Sequence, residues 1–352
     1  MRGASTLAAR VGISPLIIGL VVVSAATSAP ELAVTVGAVL DGEPGLAVGN
    51  VVGSNIVNIL LILGVSAIIS PLVIKRQLVR FDIPVMVGIS ILLVVVSLDG
   101  RISLLDGVLL LAGLLVHTVV SIVVGRRETV EEPAADPGAQ RKKPTPLWLA
   151  ALLLAAGIGL LVLGARLLVD GAVSIATGLG VSSLVVGLTV VAIGTSLPEL
   201  ATSIIALRRG ERDLAVGNIV GSNIFNIGMV LGLPAIIFGE GIPVPSAAIA
   251  LDLPLLLATA VALLPIAFTG FVIARWEGWL FVLLWAAYTA YLVLASTQHD
   301  ALDGFTAVML WFVLPLVAIT LIAVTAYEVG VIRGRRAAAA SASASAEHPE
   351  RP

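Results

Sequence analysis

Two short stretches, "TSAPEL" at 27–32 and "TSLPEL" at 195–200, place two hydroxyls, a proline and a carboxylate inside otherwise apolar sequence. Each is followed by a second polar run, "GNVVGSNIVN" at 49–58 and "GNIVGSNIFN" at 217–226. Carboxylate, hydroxyl and amide oxygens are hard donors, and a group of them suits Ca²⁺, which takes six to eight oxygen ligands at about 2.3–2.6 Å. The chain has no cysteine, and neither motif has a histidine, which disfavours zinc or copper chemistry. The candidate donors are Thr27, Ser28, Glu31, Ser54 and Asn58 from the first pair of motifs, and Thr195, Ser196, Glu199, Ser222 and Asn226 from the second.

Proline inside a helix removes one backbone hydrogen bond and crowds the preceding turn. Pro198 is therefore expected to free carbonyls near Ala192–Thr195, and helical spacing puts the hydroxyls of Thr195 and Ser196 on the face of Glu199. In hydrocarbon, broken backbone is tolerated only where protein or a hydrated cavity receives it. The competing reading is structural: an ordinary kink, and acids that are protonated or ion-paired. No Lys or Arg lies within 19–40 or 187–207 to pair with Glu31 or Glu199, and an intramembrane acid is a functional candidate by default. In the second motif Asn218, Ser222 and Asn226 recur at i, i+4 and i+8, beside Gly217 and Gly221 spaced as Gly-x-x-x-Gly. Small residues allow close helix approach and amides can bridge helices. Packing competes with ion binding here, more strongly for Asn50, Asn55, Asn218 and Asn223 than for the other polar positions. Asp82 and Asp252, each shortly before a proline, read as acidic helix-start caps, and His117 as a satisfied core residue.

The elements that must carry these motifs are transmembrane helices. Of 352 residues, 59% are hydrophobic and 12% charged, against roughly 25% charged in a soluble domain. Apolar runs of about 20 residues are long enough to cross a bilayer as helices, whereas a transmembrane β-barrel shows alternating segments of about 10 residues. Spans are expected near 15–40, 46–70, 82–98, 104–124, 147–169, 183–207, 214–238, 249–269, 276–296 and 304–331. If the "GRRETVEEPAADPGAQRKK" linker is cytoplasmic, alternation puts 18 of the 20 Lys and Arg residues on that side, all except Arg101 and Arg166, as the positive-inside rule requires. The expected setting is the cytoplasmic membrane, multi-pass, with linker and C-terminal tail inside. The expected partners are the lipid bilayer and transported cations, with no cofactor and no nucleic acid; oligomeric state stays open.

Residues 19–69 align without gaps with 187–237, with 30 identities in 51 positions. On the topology above the two copies run in opposite directions, so the repeats are inverted, as in secondary transporters that bind substrate near the midplane. The resemblance continues from "FDIPVM" at 81–86 to "LDLPLL" at 251–256, and from "LDGVLL" to "WEGWLF". Backwards it stops where Arg2-Gly3-Ala4 meets Asp170-Gly171-Ala172, so the span 147–169 has no partner. A further helix is therefore expected about 25–30 residues upstream of Met1. The reading is an all-α polytopic membrane protein of two inverted repeats of about five helices each, the first lacking its first helix. Residues 1–125 form the first repeat, 126–146 a linker, 147–298 the second repeat, 299–332 an extra helix and 333–352 a disordered tail.

The duplicated Thr-Ser-x-Pro-Glu and Gly-Ser-Asn-Ile-x-Asn motifs resemble the sodium/calcium exchanger family over roughly residues 2–300. The resemblance implies a ten-helix core with four central cation sites. Glu31 and Glu199 would then bind Ca²⁺ with the backbone of Thr27 and Thr195, and Ser28, Ser54, Ser196 and Ser222 would help form flanking Na⁺ sites. Asn58 and Asn226 hold the last motif positions; some microbial and potassium-dependent relatives carry Asp in the second, so Asn226 argues against K⁺ co-transport. Ala26, where the second copy has Gly194, is the other departure. The resemblance further implies gating by the first helix of each repeat sliding against a rigid core. Na⁺/Ca²⁺ exchange leads this reading and Ca²⁺/H⁺ exchange by the same two glutamates is the alternative, although the Gly-Asn-x-x-Glu-type motif with a following histidine of proton-coupled relatives is absent. No zinc motif or Gly-x-Ser-x-Gly elbow supports an intramembrane hydrolase.

Overall fold

A hydrocarbon medium leaves backbone groups no partner but each other, so apolar segments of this length fold as helices. The computed structural model describes residues 15–131, 146–178, 182–268, 270–327 and 330–331. The N-terminal stretch with Arg2 and Arg10, most of the 126–146 linker and the 333–352 tail lie outside the described residues.

Two half-helices, α1 (Ile18–Thr27) and α2 (Ala29–Leu40), meet at a 42° bend at Ser28. They are followed by α3 (Pro44–Ile69), α4 (Leu78–Val96) and α5 (Leu104–Val124). The second set comprises α6 (Leu147–Gly178), α7 (Leu184–Arg208), α8 (Arg212–Ile237), α9 (Ala248–Phe268) and α10 (Arg275–Ser296), and α11 (Leu302–Tyr327) closes the chain. Eight of these are long and apolar enough to cross a membrane, and the bent α1–α2 pair makes a ninth. The expected span 147–169 falls within the 32-residue α6. Every expected span therefore coincides with a helix among the described residues, within a few residues at each end except that α6 runs on to Gly178.

The inverted duplication is visible in how the elements pair. In the first repeat α1 packs on α8 of the second, and α7 of the second packs on α3 of the first. The far end of α3 meets α10, and the far end of α8 meets α5. Two-residue ladders repeat the pattern: Leu72–Val73 pairs antiparallel with Val272–Ile273, and Arg101–Ile102 with Ile242–Pro243. Each ladder ties together two loops that alternation assigns to the same end of the bundle. Lys75 reaches Asp213 at 3.5 Å across the same seam.

Glycine makes this packing possible. A Cβ on Gly53 of α3 would lie 2.8 Å from Leu188 Cα and carbonyl O of α7, and one on Gly217 of α8 would lie 2.9 Å from Leu16 O. The Gly-x-x-x-Gly runs thus bring backbone against backbone between the repeats, as their spacing suggests. In consequence α3 and α8 are the innermost helices, 78% buried over their apolar windows, while α11 is 0% buried and presents Trp311, Phe312 and Ile319 outward.

Wide π-type turns also recur in register. They occupy Ile18–Val23 and Gly187–Val191, Val57–Leu63 and Asn226–Leu231, and Leu78–Asp82 and Ala248–Asp252. Such turns cluster at functional positions because they redirect side chains within a helix; here they begin just before Asn58 and at Asn226.

Gly53→Ala places a methyl against immovable backbone. It is expected to cost roughly 1–3 kcal/mol, read as a lower melting temperature and reduced monodisperse yield in detergent. Gly88→Ala, which meets nothing within 4 Å, is expected to be neutral or slightly stabilising.

Candidate cation-binding site

The motif prolines follow a one-residue break in the helix, a 42° bend at Ser28 in the first repeat and a break at Ser196 inside the α7 span in the second. Ser28 and Ser196 leave helical geometry (φ −80, ψ 5 and φ −85, ψ 4), and Pro30 and Pro198 fall in the first turn of the helices Ala29–Leu40 and Leu197–Arg208. That is where proline is tolerated best, since its missing N–H needs no partner there. Glu31 and Glu199 occupy the same first turns, where the positive end of the helix dipole favours a carboxylate. Thr27 and Thr195 end the preceding half-helices, whose carbonyl ends are the type that coordinates cations in broken transporter helices.

The break changes which hydroxyl meets which acid. Helical spacing would aim Ser196 at Glu199; instead its hydroxyl donates to Glu31 Oε1 of the other repeat at 3.3 Å, and Ser28 donates to Glu199 Oε1 at 3.5 Å. The turn at Ser196 swings its side chain out of the register of the helix that follows. Nor is every expected carbonyl freed, because Ala192 O accepts the Ser196 N–H at 3.1 Å. Ser222 also donates to Glu199 Oε1, at 3.2 Å.

All ten sequence-derived candidates are buried, at 3% exposure or less. Thr195 approaches Ser54 Oγ at 3.3 Å and donates to Asn50 Oδ1 at 3.1 Å. Its counterpart Thr27 approaches Ser222 Oγ at 3.5 Å and donates to Asn218 Oδ1 at 3.4 Å. Asn50 then bonds the Glu31 carbonyl and Thr35, and Asn218 bonds Thr202. Asn50 and Asn218 thus brace the broken helices, which is the packing role weighed for them. Asn58 and Asn226 each donate their amide N–H to an asparagine of the other repeat, Asn223 and Asn55.

What remains is a set of oxygens with no donor. Glu31 Oε2, Glu199 Oε2, Asn58 Oδ1 and Asn226 Oδ1 are all buried and unpartnered. A buried acceptor left unmatched costs about 1–3 kcal/mol, and here four belong to the motifs themselves, two from each repeat. Each carboxylate accepts from the serine beside the other, Glu31 from Ser196 and Glu199 from Ser28. Among the described residues no group of three or more His, Cys, Asp or Glu forms, so the donor set is two carboxylates with neutral oxygens.

A cavity of about 560 Å³ runs beside α2, lined by Val34, Gly37 and Val191 and edged by Asp41, Glu43 and Asp170. Acids at the mouth of a cleft raise the local concentration of cations. The sequence reading missed this feature, since Asp170 lies more than a hundred residues from the other two.

Asp82 and Asp252 do not cap helices. The wide turns extend α4 and α9 backwards to Leu78 and Ala248, leaving both acids a full turn inside. Asp82 Oδ1 instead meets His117 Nε2 and the Ser121 hydroxyl, both at 2.9 Å, with Phe81 stacked on the imidazole. Asp252 accepts the Tyr288 hydroxyl at 2.9 Å. The acids that do serve helix starts are Asp106 in α5, accepting from the Ser103 N–H, and Glu277 in α10, accepting from the Ala274 N–H. His117 is a satisfied core residue, as expected.

A broken-helix inverted repeat around buried carboxylates defines a secondary cation transporter. The family model described as sodium/calcium exchanger protein matches residues 1–123 and 149–294, and the chain belongs to the sodium/calcium exchanger family, one of membrane antiporters and not of enzymes. It is 39% identical over 263 residues to the putative antiporter CaxA of Alkalimonas amylolytica, covering 74% of this chain and 82% of that one. It is 38% identical to the inner membrane protein YrbG of Escherichia coli, covering 66% and 73%. The solved sodium-calcium exchanger NCX_Mj, soaked with Na⁺ and Sr²⁺, superposes with a TM-score of 0.67 at 34% identity, over 82% of this chain and 90% of that one.

Replacing the buried His117 with Leu leaves Asp82 only the Ser121 hydroxyl. The expected loss is roughly 1–3 kcal/mol of stability, the cost of a buried acceptor that loses its donor, with the double variant Asp82→Leu/His117→Leu recovering part of it; thermal denaturation of the purified protein measures both.

Proposed function

We propose that this protein exchanges Ca²⁺ for Na⁺ across the cytoplasmic membrane by alternating access, using the ten residues brought together at the break of the two repeats. The observation that carries the reading is the cluster of unpartnered oxygens, Glu31 Oε2, Glu199 Oε2, Asn58 Oδ1 and Asn226 Oδ1. Only a cation satisfies several acceptors at once without a donor hydrogen. Glu31 and Glu199 bear the charge, Thr27 and Thr195 offer backbone oxygen, and Ser28, Ser54, Ser196 and Ser222 supply hydroxyl oxygens at the flanks.

Charge accounting gives the coupling. Two ionised carboxylates are neutralised by one Ca²⁺ or by Na⁺ ions in overlapping positions, and an unneutralised pair in a low-dielectric interior is costly. The loaded forms are therefore the ones that cross between the two access states, and simultaneous occupancy is excluded by charge and space. The names of the relatives bear on the ions: one is a putative antiporter and one solved structure is a sodium-calcium exchanger soaked with Na⁺ and Sr²⁺. The division into repeats at 1–125 and 147–298, with the extra helix 299–332 outside them, follows the duplication. The linker and tail face the cytoplasm on the count of basic residues.

The test is ⁴⁵Ca²⁺ uptake into proteoliposomes loaded with Na⁺. Uptake is expected to follow the outward Na⁺ gradient. Glu199→Gln is expected to slow it by about 100-fold or more, corresponding to roughly 3 kcal/mol for removing one member of a buried charged set. Uptake that follows a pH gradient and ignores Na⁺ would instead make the protein a Ca²⁺/H⁺ antiporter using the same glutamates.

A further inference from the structure

An asparagine amide is nearly the same shape when turned by 180°, so whether it offers an oxygen or an N–H to a cavity is decided only by what its other end meets. At Asn58 and Asn226 this choice is between a cation ligand and a repulsive donor. Asn58 Nδ2 donates to Asn223 Oδ1 at 3.1 Å, and Asn226 Nδ2 donates to Asn55 Oδ1 at 3.2 Å, which leaves both inner oxygens unpartnered.

The outer asparagines are in turn fixed by groups that can only accept. Asn55 Nδ2 donates to the main-chain carbonyl of Asn223 at 3.4 Å, and Asn223 Nδ2 points at Met86 Sδ at 3.5 Å. A carbonyl or thioether cannot reverse its role, so each outer amide presents its oxygen to the inner amide. The two outer asparagines are 1% exposed, and no water is needed to complete either chain. Both chains cross between the repeats.

We infer that Asn55 and Asn223 are positioning residues that lock the polarity of the neutral half of the cation cage, through the relay from Met86 Sδ and the Asn223 carbonyl to Asn58 and Asn226. The inference rests on the cation-site reading above and goes beyond it, because neither residue contributes an oxygen to the cage. Both outer amides therefore matter for affinity although their own oxygens are already taken. The relay is asymmetric: by the repeat alignment, Met86 corresponds to Leu256, whose side chain has no acceptor, and the matching bond goes to the Asn223 carbonyl instead.

The experiment is Ca²⁺ titration calorimetry on the purified full chain in detergent, with melting temperature as the control for folding. Asn223→Leu is expected to weaken Ca²⁺ binding about tenfold or more, because Asn58 is then free to turn its N–H inward. In the Asn58→Asp background the same substitution is expected to change affinity less than twofold, since a carboxylate offers an oxygen whichever way it turns. Asn55→Leu, alone and with Asn226→Asp, is the mirror experiment. If Asn223→Leu does not fold, Met86→Leu keeps the volume and removes the sulfur; a severalfold loss confined to the Asn58 background supports the lock. Equal losses in both backgrounds, no loss in either, or abolished binding in Asn58→Asp itself would overturn it. A wild-type protein that binds Ca²⁺ no better than Glu199→Gln brings down the site reading itself, a result distinct from all of these.

Discussion

The structure depends on one constraint, which is that hydrocarbon solvates neither a broken backbone nor a charge. At Ser28 and Ser196 the chain breaks its helix anyway, and everything around the break answers that cost. Prolines sit where their missing N–H is harmless, and glutamates stand at the positive ends of the new helices. Asn50 and Asn218 tie the broken turns to α3 and α8 through Glu31 O, Thr35 and Thr202. The innermost helices are those that carry the second motif, so the unpaired oxygens of Asn58 and Asn226 sit on the two helices most shielded by the rest of the fold.

Duplication makes the arrangement possible with few residues. Neither repeat closes a site alone, because Ser196 serves Glu31, Ser28 serves Glu199, and each inner asparagine is held by the other repeat. Each half supplies the second-contact groups of its partner's carboxylate. The close backbone approach of Gly53 to Leu188 and of Gly217 to Leu16 sets the distance over which these hydroxyls and amides must reach. A cross-braced pair of this type couples the candidate residues of one half to the position of the other, which suits a transporter built of inverted repeats.

Much of this was legible in the residues. Apolar run length gave every span, and motif duplication gave the inverted repeat and all ten buried candidates. Four things were not legible, each for a physical reason. Helical periodicity assumes an unbroken helix, so it paired Ser196 with Glu199 when the turn at Ser196 hands it to Glu31. The caps were assigned to Asp82 and Asp252 because both precede prolines, but wide turns cannot be read from composition and they draw both acids inside their helices. The acidic rim of Asp41, Glu43 and Asp170 joins residues distant in sequence, and only the fold brings them to one cavity. Asn55 and Asn223 were read as packing, which describes their burial and omits their direction.

The departures from two-fold symmetry are as informative as the symmetry. Transport needs two access states of similar free energy, and a perfectly repeated molecule would give them identical environments at the site. Here Ser222 bonds Glu199, and no corresponding bond joins Ser54 to Glu31. Asp82 is answered by an imidazole and a hydroxyl where Asp252 has a phenol, and Met86 stands opposite Leu256. The Ser222 bond distinguishes the two candidate oxygen sets themselves, and the other differences lie among the groups around them. The inequality of the two halves is therefore held mainly in the groups around the candidate oxygens, while the unpartnered oxygens come as matched pairs, one from each repeat.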